Sequence, residues 1–191
     1  MKTKARKNNI KIKQEEIINK IINLIASGSS ITDILVNSSQ LIIKQFNSSY
    51  FIVYILEDNI LKCLIKRISP SETLIPREII LGINEQQELL KIKQPVSNKN
   101  SDTVQMFHKF NLKSNISYIF SPIINIGELI GIIIIGKDKG NYNFTDEKLI
   151  FSISSLLASS FSNTRQVFKK EEIKKQIEAL MDISRSIVEK S

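Results

Sequence analysis

Along the first fifty residues the apolar positions recur at helical spacing. Ile17, Ile18, Ile21, Ile22, Leu24 and Ile25 predict an amphipathic helix over residues 14–26, with Gly28 as a natural stop. Ser30 or Thr32 is placed to cap a second helix, with Ile34, Leu35, Ser38, Leu41, Ile42 and Gln45 on or near one face. After Asn47-Ser48-Ser49 the period changes from about 3.6 to two. Residues 50–57 and 60–68 then read as two strands joined by the turn Asp58-Asn59, that is, a hairpin. In the second strand Leu61, Cys63 and Ile65 are expected on one face, with Lys62 and Lys66 on the other.

Residues 69–101 are the least regular, broken by Pro70, Pro76, Gly82 and Pro95. Within and just after them the pattern predicts a short helix over 85–93, a short strand at Val96-Ser97 and another short helix over 102–110. A strand follows over 116–125, with Pro122 expected at a bulge or an unpaired edge because proline cannot donate to a ladder. Asn125-Ile126-Gly127 turns the chain into a strand over 129–135. Thr145 is placed to cap a long final helix carrying Leu149, Ile150, Ile153, Leu156, Leu157 and Phe161. Beyond Asn163, Ile173, Ile177, Leu180, Ser184 and Ile187 alternate at four and three residues, a short heptad seam that seeks a partner helix.

Charge is distributed unevenly. Of the net +8, residues 1–13 supply six, as Lys2, Lys4, Arg6, Lys7, Lys11 and Lys13 with no acid, so the rest carries +2. The expectation is a disordered basic arm at 1–13 ahead of a near-neutral body. Nucleic-acid binding through that arm is an alternative function, but no aromatic-basic face or recognition motif follows it, so no nucleic-acid partner is expected. The longest apolar run, residues 129–135, is far shorter than the roughly 20 residues of a membrane helix. No signal-peptide pattern is present, and the single cysteine, Cys63, excludes an internal disulfide. A cytoplasmic location is the expectation.

The stretch Gly131-Ile132-Ile133-Ile134-Ile135-Gly136-Lys137-Asp138 has the glycine and lysine spacing of a phosphate-binding loop. Four consecutive isoleucines, however, suit a buried strand and not a flexible loop. Beyond Lys137 the residues predict a turn rather than a helix, and Asp138 would repel phosphate. The segment is expected to be a core strand with the two glycines at its ends.

Taken in order, Ser117-Tyr118-Ile119-Phe120-Ser121-Pro122-Ile123, Gly127-Glu128-Leu129-Ile130-Gly131 and Phe144-Thr145-Asp146-Glu147 resemble the recurring pieces of a GAF domain over residues 14–168. The resemblance implies an α+β fold, an α/β sandwich. A central antiparallel sheet of five to six strands would carry the N- and C-terminal helices on one face and short helices and loops over the opposite, pocket face. It further implies a non-catalytic sensory module that dimerises through residues 14–27 and 145–190. Such a module would pass the state of a small-molecule ligand to a C-terminal kinase, cyclase or phosphatase. The last residues, 180–187, resemble the first helix of another such domain, so 169–191 are expected to form a linker helix to it. A ligand-free dimerisation and relay scaffold is the alternative.

Candidate ligand contacts fall in the central region. Arg77 is suited to pair with an anion, Ser97, Asn98, Asp102 and Thr103 to hydrogen-bond a polar ligand, and Phe107 to stack on a ring; His108 is the sole histidine. No cofactor and no metal are expected, because one histidine and one cysteine about 45 residues apart make no metal site. Members of the resembled family that bind linear tetrapyrroles attach them through a cysteine often followed by histidine, and those that reduce methionine sulfoxide use several cysteines. Neither arrangement is present here. The Asn-Lys and Phe-x-x-x-Asp-Glu pieces of cyclic-nucleotide binders are also missing in strict form, since Lys137 follows a glycine and Asp146 lies two residues after Phe144. A cyclic nucleotide is therefore a possible ligand without specific support.

Overall fold

The computed structural model describes residues 2–68, 75–92, 94–97, 108–113 and 115–161, with the backbone alone for residues 2–13. Helices α1 (Lys2–Ala26) and α2 (Ile31–Phe46) lead into strands β1 (Tyr50–Glu57), β2 (Ile60–Ile68) and β3 (Glu78–Ile80). Helix α3 (Ile83–Lys91) and strands β4 (Val96–Ser97), β5 (Ser117–Asn125) and β6 (Glu128–Lys137) follow. A final helix, α4, occupies residues 144–161. The six strands form one antiparallel sheet in the order β3-β2-β1-β6-β5-β4.

Helix α1 begins at Lys2, so residues 2–13 are helical where a disordered arm was expected. The segment has neither proline nor glycine and is rich in Lys and Arg, which favour propagation once residues 14–26 nucleate the helix. Ser30 caps α2 by accepting from the Asp33 amide at 3.1 Å, and Asn47 ends it in the left-handed region, its amide donating to the Ile43 carbonyl.

Strand alternation produces two cores, one on each face of the sheet. On the first, Phe51, Val53, Ile119, Ile123, Ile133 and Ile135 pack against Ile17 and Ile21 of α1, Ile34, Leu35 and Ile42 of α2, and Leu149, Ile150, Ile153 and Leu157 of α4. On the second, Tyr50, Ile52, Tyr54, Tyr118, Phe120, Ile132 and Ile134 are covered by the central region through Ile79, Leu81, Leu89 and Phe110. The terminal helices thus share one face and the central region covers the other, the α+β arrangement that the resemblance implied.

Three local expectations are corrected. A bulge opposite Val53/Tyr54 leaves Leu64 without a register partner and 41% exposed, which turns Ile65 to the helix side while Leu61 and Cys63 stay on the other. The glycines of the four-isoleucine stretch lie inside β6 rather than at its ends. The cap of α4 is Asn143, not Thr145. Asn143 Oδ1 accepts from the amides of Thr145 and Asp146 at 2.8 and 3.1 Å, and Asp146 Oδ2 accepts from the Asn143 amide at 3.0 Å, a reciprocal cap. Pro122 sits as expected, opposite Ile132 and just before the bulge at Ile123/Ile124, while the described pairing with β4 stops at Phe120.

Candidate functional site

Period-two alternation in β1 and β5 brings aromatic side chains together on the sheet face away from the terminal helices. Five rings run in a chain: Tyr54 to Phe110 at 5.3 Å between centroids, Phe110 to Phe120 at 5.9 Å, Phe120 to Tyr118 at 6.3 Å and Tyr118 to Tyr50 at 5.7 Å. Their edge-on and tilted geometries are those that ring quadrupoles favour. All five are at most 3% exposed.

The glycines of β6 explain why the rings fit. A Cβ at Gly136 would lie 2.5 Å from Tyr118 Cε1 and 3.2 Å from Tyr50 Cβ, so glycine leaves the space those rings occupy. A Cβ at Gly131 would run into the Tyr54 carbonyl oxygen, so glycine there permits the close approach of β1. Strand β6 pairs with β1 on one side and β5 on the other, which leaves its backbone no role as a phosphate cradle.

The face is uncharged in character. The Tyr54 hydroxyl donates to the Pro76 carbonyl at 2.8 Å. Burial above all pushes the Tyr54 and Tyr118 hydroxyls well above their ordinary range, so both remain neutral donors. Cys63 is half-buried beside Tyr54, and burial raises its thiol as well.

Of the candidate contacts read from the sequence, Asn98, Asp102, Thr103 and Phe107 lie outside the described residues. Ser97 is buried in β4, paired with Ile119 and so on the helix side of the sheet, not on the ring face where a ligand contact was expected. Arg77 is exposed, its carbonyl accepting from the Cys63 amide at 2.7 Å. His108 is exposed at the start of a 3-10 turn over residues 108–110. The rings themselves were missed. The alternation Tyr50-x-x-x-Tyr54 and Tyr118-x-Phe120 was visible in the sequence, whereas Phe110, at the end of an expected helix, gave no signal of its burial. Among the described residues no group of three His, Cys, Asp or Glu could hold a metal.

On the opposite face polar contacts tie the sheet to α4. Ser154 Oγ of α4 lies 2.7 Å from Ser121 Oγ of β5 and 2.9 Å from the Ile150 carbonyl, with both serines buried. Nearby, the Ser48 and Tyr142 hydroxyls are 2.9 Å apart, and Ser49 donates to the Asp138 carboxylate. Phe46 meets Tyr142 edge-on at 6.3 Å, and Lys137 Nζ lies 4.1 Å above the Tyr142 ring. The end of α2 and the approach to α4 are therefore one packed joint.

No protein-family model matches the sequence, and no curated protein does. Solved structures do match in fold. A phycoerythrobilin-bound GAF domain from a cyanobacterial phytochrome superposes with a TM-score of 0.66 at 12% identity, covering 83% of this chain and 99% of that one. The GAF domain of a phosphoenolpyruvate-protein phosphotransferase from Coxiella burnetii gives 0.64 at 12% identity, covering 83% and 98%. Free methionine-R-sulfoxide reductase from Neisseria meningitidis, solved with its substrate, gives 0.63 at 16% identity, covering 81% and 91%. The chain has the fold of the GAF domains, a fold that carries both ligand-binding modules and an enzyme.

Proposed function

We propose that the chain is a non-catalytic sensory domain that binds a small, uncharged, ring-bearing molecule on the aromatic face and relays its presence to α4. The alternation along β5 carries this reading. Tyr118 and Phe120 belong to the ring chain, and the very next residue, Ser121, is joined to Ser154 of α4. A molecule that displaces the rings would shift β5, and the buried serine pair would transmit the shift to α4. Such coupling requires different ligand affinity in the two arrangements of the helix.

Proposed further are dimerisation through residues 14–27 and 145–190 and coupling to a downstream kinase, cyclase or phosphatase in a cytoplasmic protein. The Coxiella neighbour, a GAF domain of a larger enzyme, supports the modular part of this reading. Against sulfoxide reduction stand the single cysteine and its raised thiol, which disfavours the thiolate that such chemistry needs. Among the candidate residues, Arg77, Asn98, Asp102, Thr103, Phe107 and His108 remain the proposed rim of the site, whereas Ser97, paired with Ile119 of the helix-side core, lies on the other face of the sheet.

One observation favours a second reading. The five rings are already buried against one another and against the central region, as they would be in a ligand-free relay domain whose second face is simply a core. Thermal-shift screening of the full chain with neutral aromatic metabolites, with cyclic nucleotides for comparison, separates the two. Saturable stabilisation by a neutral aromatic compound, lost in Phe120→Ala, is expected. Stabilisation by no compound would favour the relay.

A further inference from the structure

Helix α1 is continuous from Lys2 to Ala26, 25 residues, whereas α2, joined to it by the short turn 27–30, has 16. At 1.5 Å per residue α1 is the longer by about 13 Å, so its first two turns have no length of α2 to lie against. The segment 2–13, which includes this overhang, carries six lysines and arginines and no acid; Glu15 and Glu16 follow it. A disordered arm would carry that charge without shape. A helix distributes it.

At 3.6 residues per turn, Lys2, Arg6 and Lys13 fall along one flank of α1 and Lys4, Lys7 and Lys11 along the other. Between the flanks, in line with the buried Ile17 and Ile21, come Thr3 and Ile10. On the opposite side of the helix come Ala5, Asn8 and Ile12. Two basic rows about 150° apart, with a narrow neutral strip between them, complement two facing walls of negative charge better than one flat surface. The major groove of B-form DNA, about 12 Å wide, offers such walls and admits a helix. The major groove of duplex RNA is too narrow. A membrane surface fits poorly, because Ile10 and Ile12 lie on opposite sides and leave no single apolar face to bury.

We propose that residues 2–13 are a second functional site, a preformed helix that enters the major groove of double-stranded DNA. The two basic rows neutralise phosphates on the two strands and set the orientation of the helix. Ala5, Asn8 and Ile12 form the strip against the base edges, where Asn suits adenine and apolar residues the thymine methyl. Continuity with the body of α1 holds the segment at a fixed angle, as in other continuous basic helices. The proposal does not depend on the aromatic face.

The test is fluorescence anisotropy of the full chain with a labelled DNA duplex of mixed sequence, between about 50 and 200 mM salt. Six phosphate contacts predict a slope of log affinity on log salt of about −5. The triple substitution Lys4→Gln, Lys7→Gln, Lys11→Gln, which keeps good helix formers, should bring it to about −3. Asn8→Pro keeps every charge but breaks the helix, and should weaken binding at least about tenfold. Urea unfolding midpoints equal to that of the native chain report that the body of each variant is intact. No binding at the lowest salt, an unchanged slope in the triple variant, or native affinity in Asn8→Pro would each overturn the proposal. Binding to an RNA duplex or to phosphatidylserine vesicles as tight as to DNA would overturn it too.

Discussion

The hydroxyl pair joining β5 to α4 makes a sharp prediction, because both oxygens are removed from water and each is the other's side-chain partner. Ser121 and Ser154 are 0% and 1% exposed, with oxygens 2.7 Å apart. Ser154→Ala leaves the Ser121 hydroxyl buried without that partner, at a cost of about 1–3 kcal/mol. Against this, alanine removes a hydroxyl that bonds back to the Ile150 carbonyl and improves helix propensity by roughly 0.5 kcal/mol, so a net loss near 1–2 kcal/mol is expected. Ser121→Ala should cost less, about 0.5–1 kcal/mol, since the Ser154 hydroxyl keeps the Ile150 carbonyl. The double substitution should cost less than the two singles combined, by about 1 kcal/mol, because neither hydroxyl is then stranded. Urea unfolding followed by far-UV circular dichroism measures all three, since the chain lacks tryptophan. Additive losses would refute the pairing argument and remove the physical link between the aromatic face and α4.

Gly136→Ala should cost about 1–3 kcal/mol in the same assay, because the Tyr118 ring must tilt away from a new methyl group. Gly131→Ala should be worse and yield little folded protein, since its methyl meets the Tyr54 backbone, which cannot swing aside. Lys109 bonds Glu85 at 2.7 Å, and this contact, helped by the Gly82 amide, holds the Glu85 carboxyl below its ordinary value. A carboxyl lowered in the folded state stabilises at neutral pH and loses that contribution as pH falls through its folded value. The stability gap between the native chain and Lys109→Met, about 0.5 kcal/mol for so exposed a pair, should therefore hold from pH 7 to 5 and close below about pH 4. Cys63, half-buried with its thiol raised, should react with iodoacetamide at pH 8 at least about tenfold more slowly in the folded chain than in urea. Equal rates would place it at the surface.

Where local pattern and tertiary packing agreed, the elements were legible. The β1–β2 hairpin was found at its observed ends because two aromatic and branched runs flank a turn whose residues tolerate positive φ. Strand β6 was legible from four isoleucines alone. The features that the local pattern does not announce depend on neighbours distant in sequence. The bulge at Leu64 is set by the ladder with β1, so nothing near Leu64 announced that Ile65 would change faces. Strand β3 is three residues long and owes its existence to pairing with β2 across the central region. The roles of Gly131 and Gly136 arise from Tyr54 and Tyr118, residues on other strands, whereas the local pattern around these glycines suggests only strand ends. For the site, polarity is the local signal of a ligand contact, and it points to the central region. The described part of the face is built from rings instead, and of the candidates only Ser97 is buried among the described residues.

The central claim is that the ring chain is a ligand face coupled to α4 and not merely a second core. A neutral aromatic compound from the thermal-shift screen, titrated into chain labelled at its tyrosine and serine residues, tests it most directly by NMR. Saturable shifts at Tyr50, Tyr54 and Tyr118 together with Ser121 and Ser154 are predicted, and in the Ser121→Ala, Ser154→Ala variant the tyrosine shifts should persist while those along α4 disappear. Shifts that never reach the buried tyrosines, or α4 shifts that survive loss of the serine pair, would contradict it.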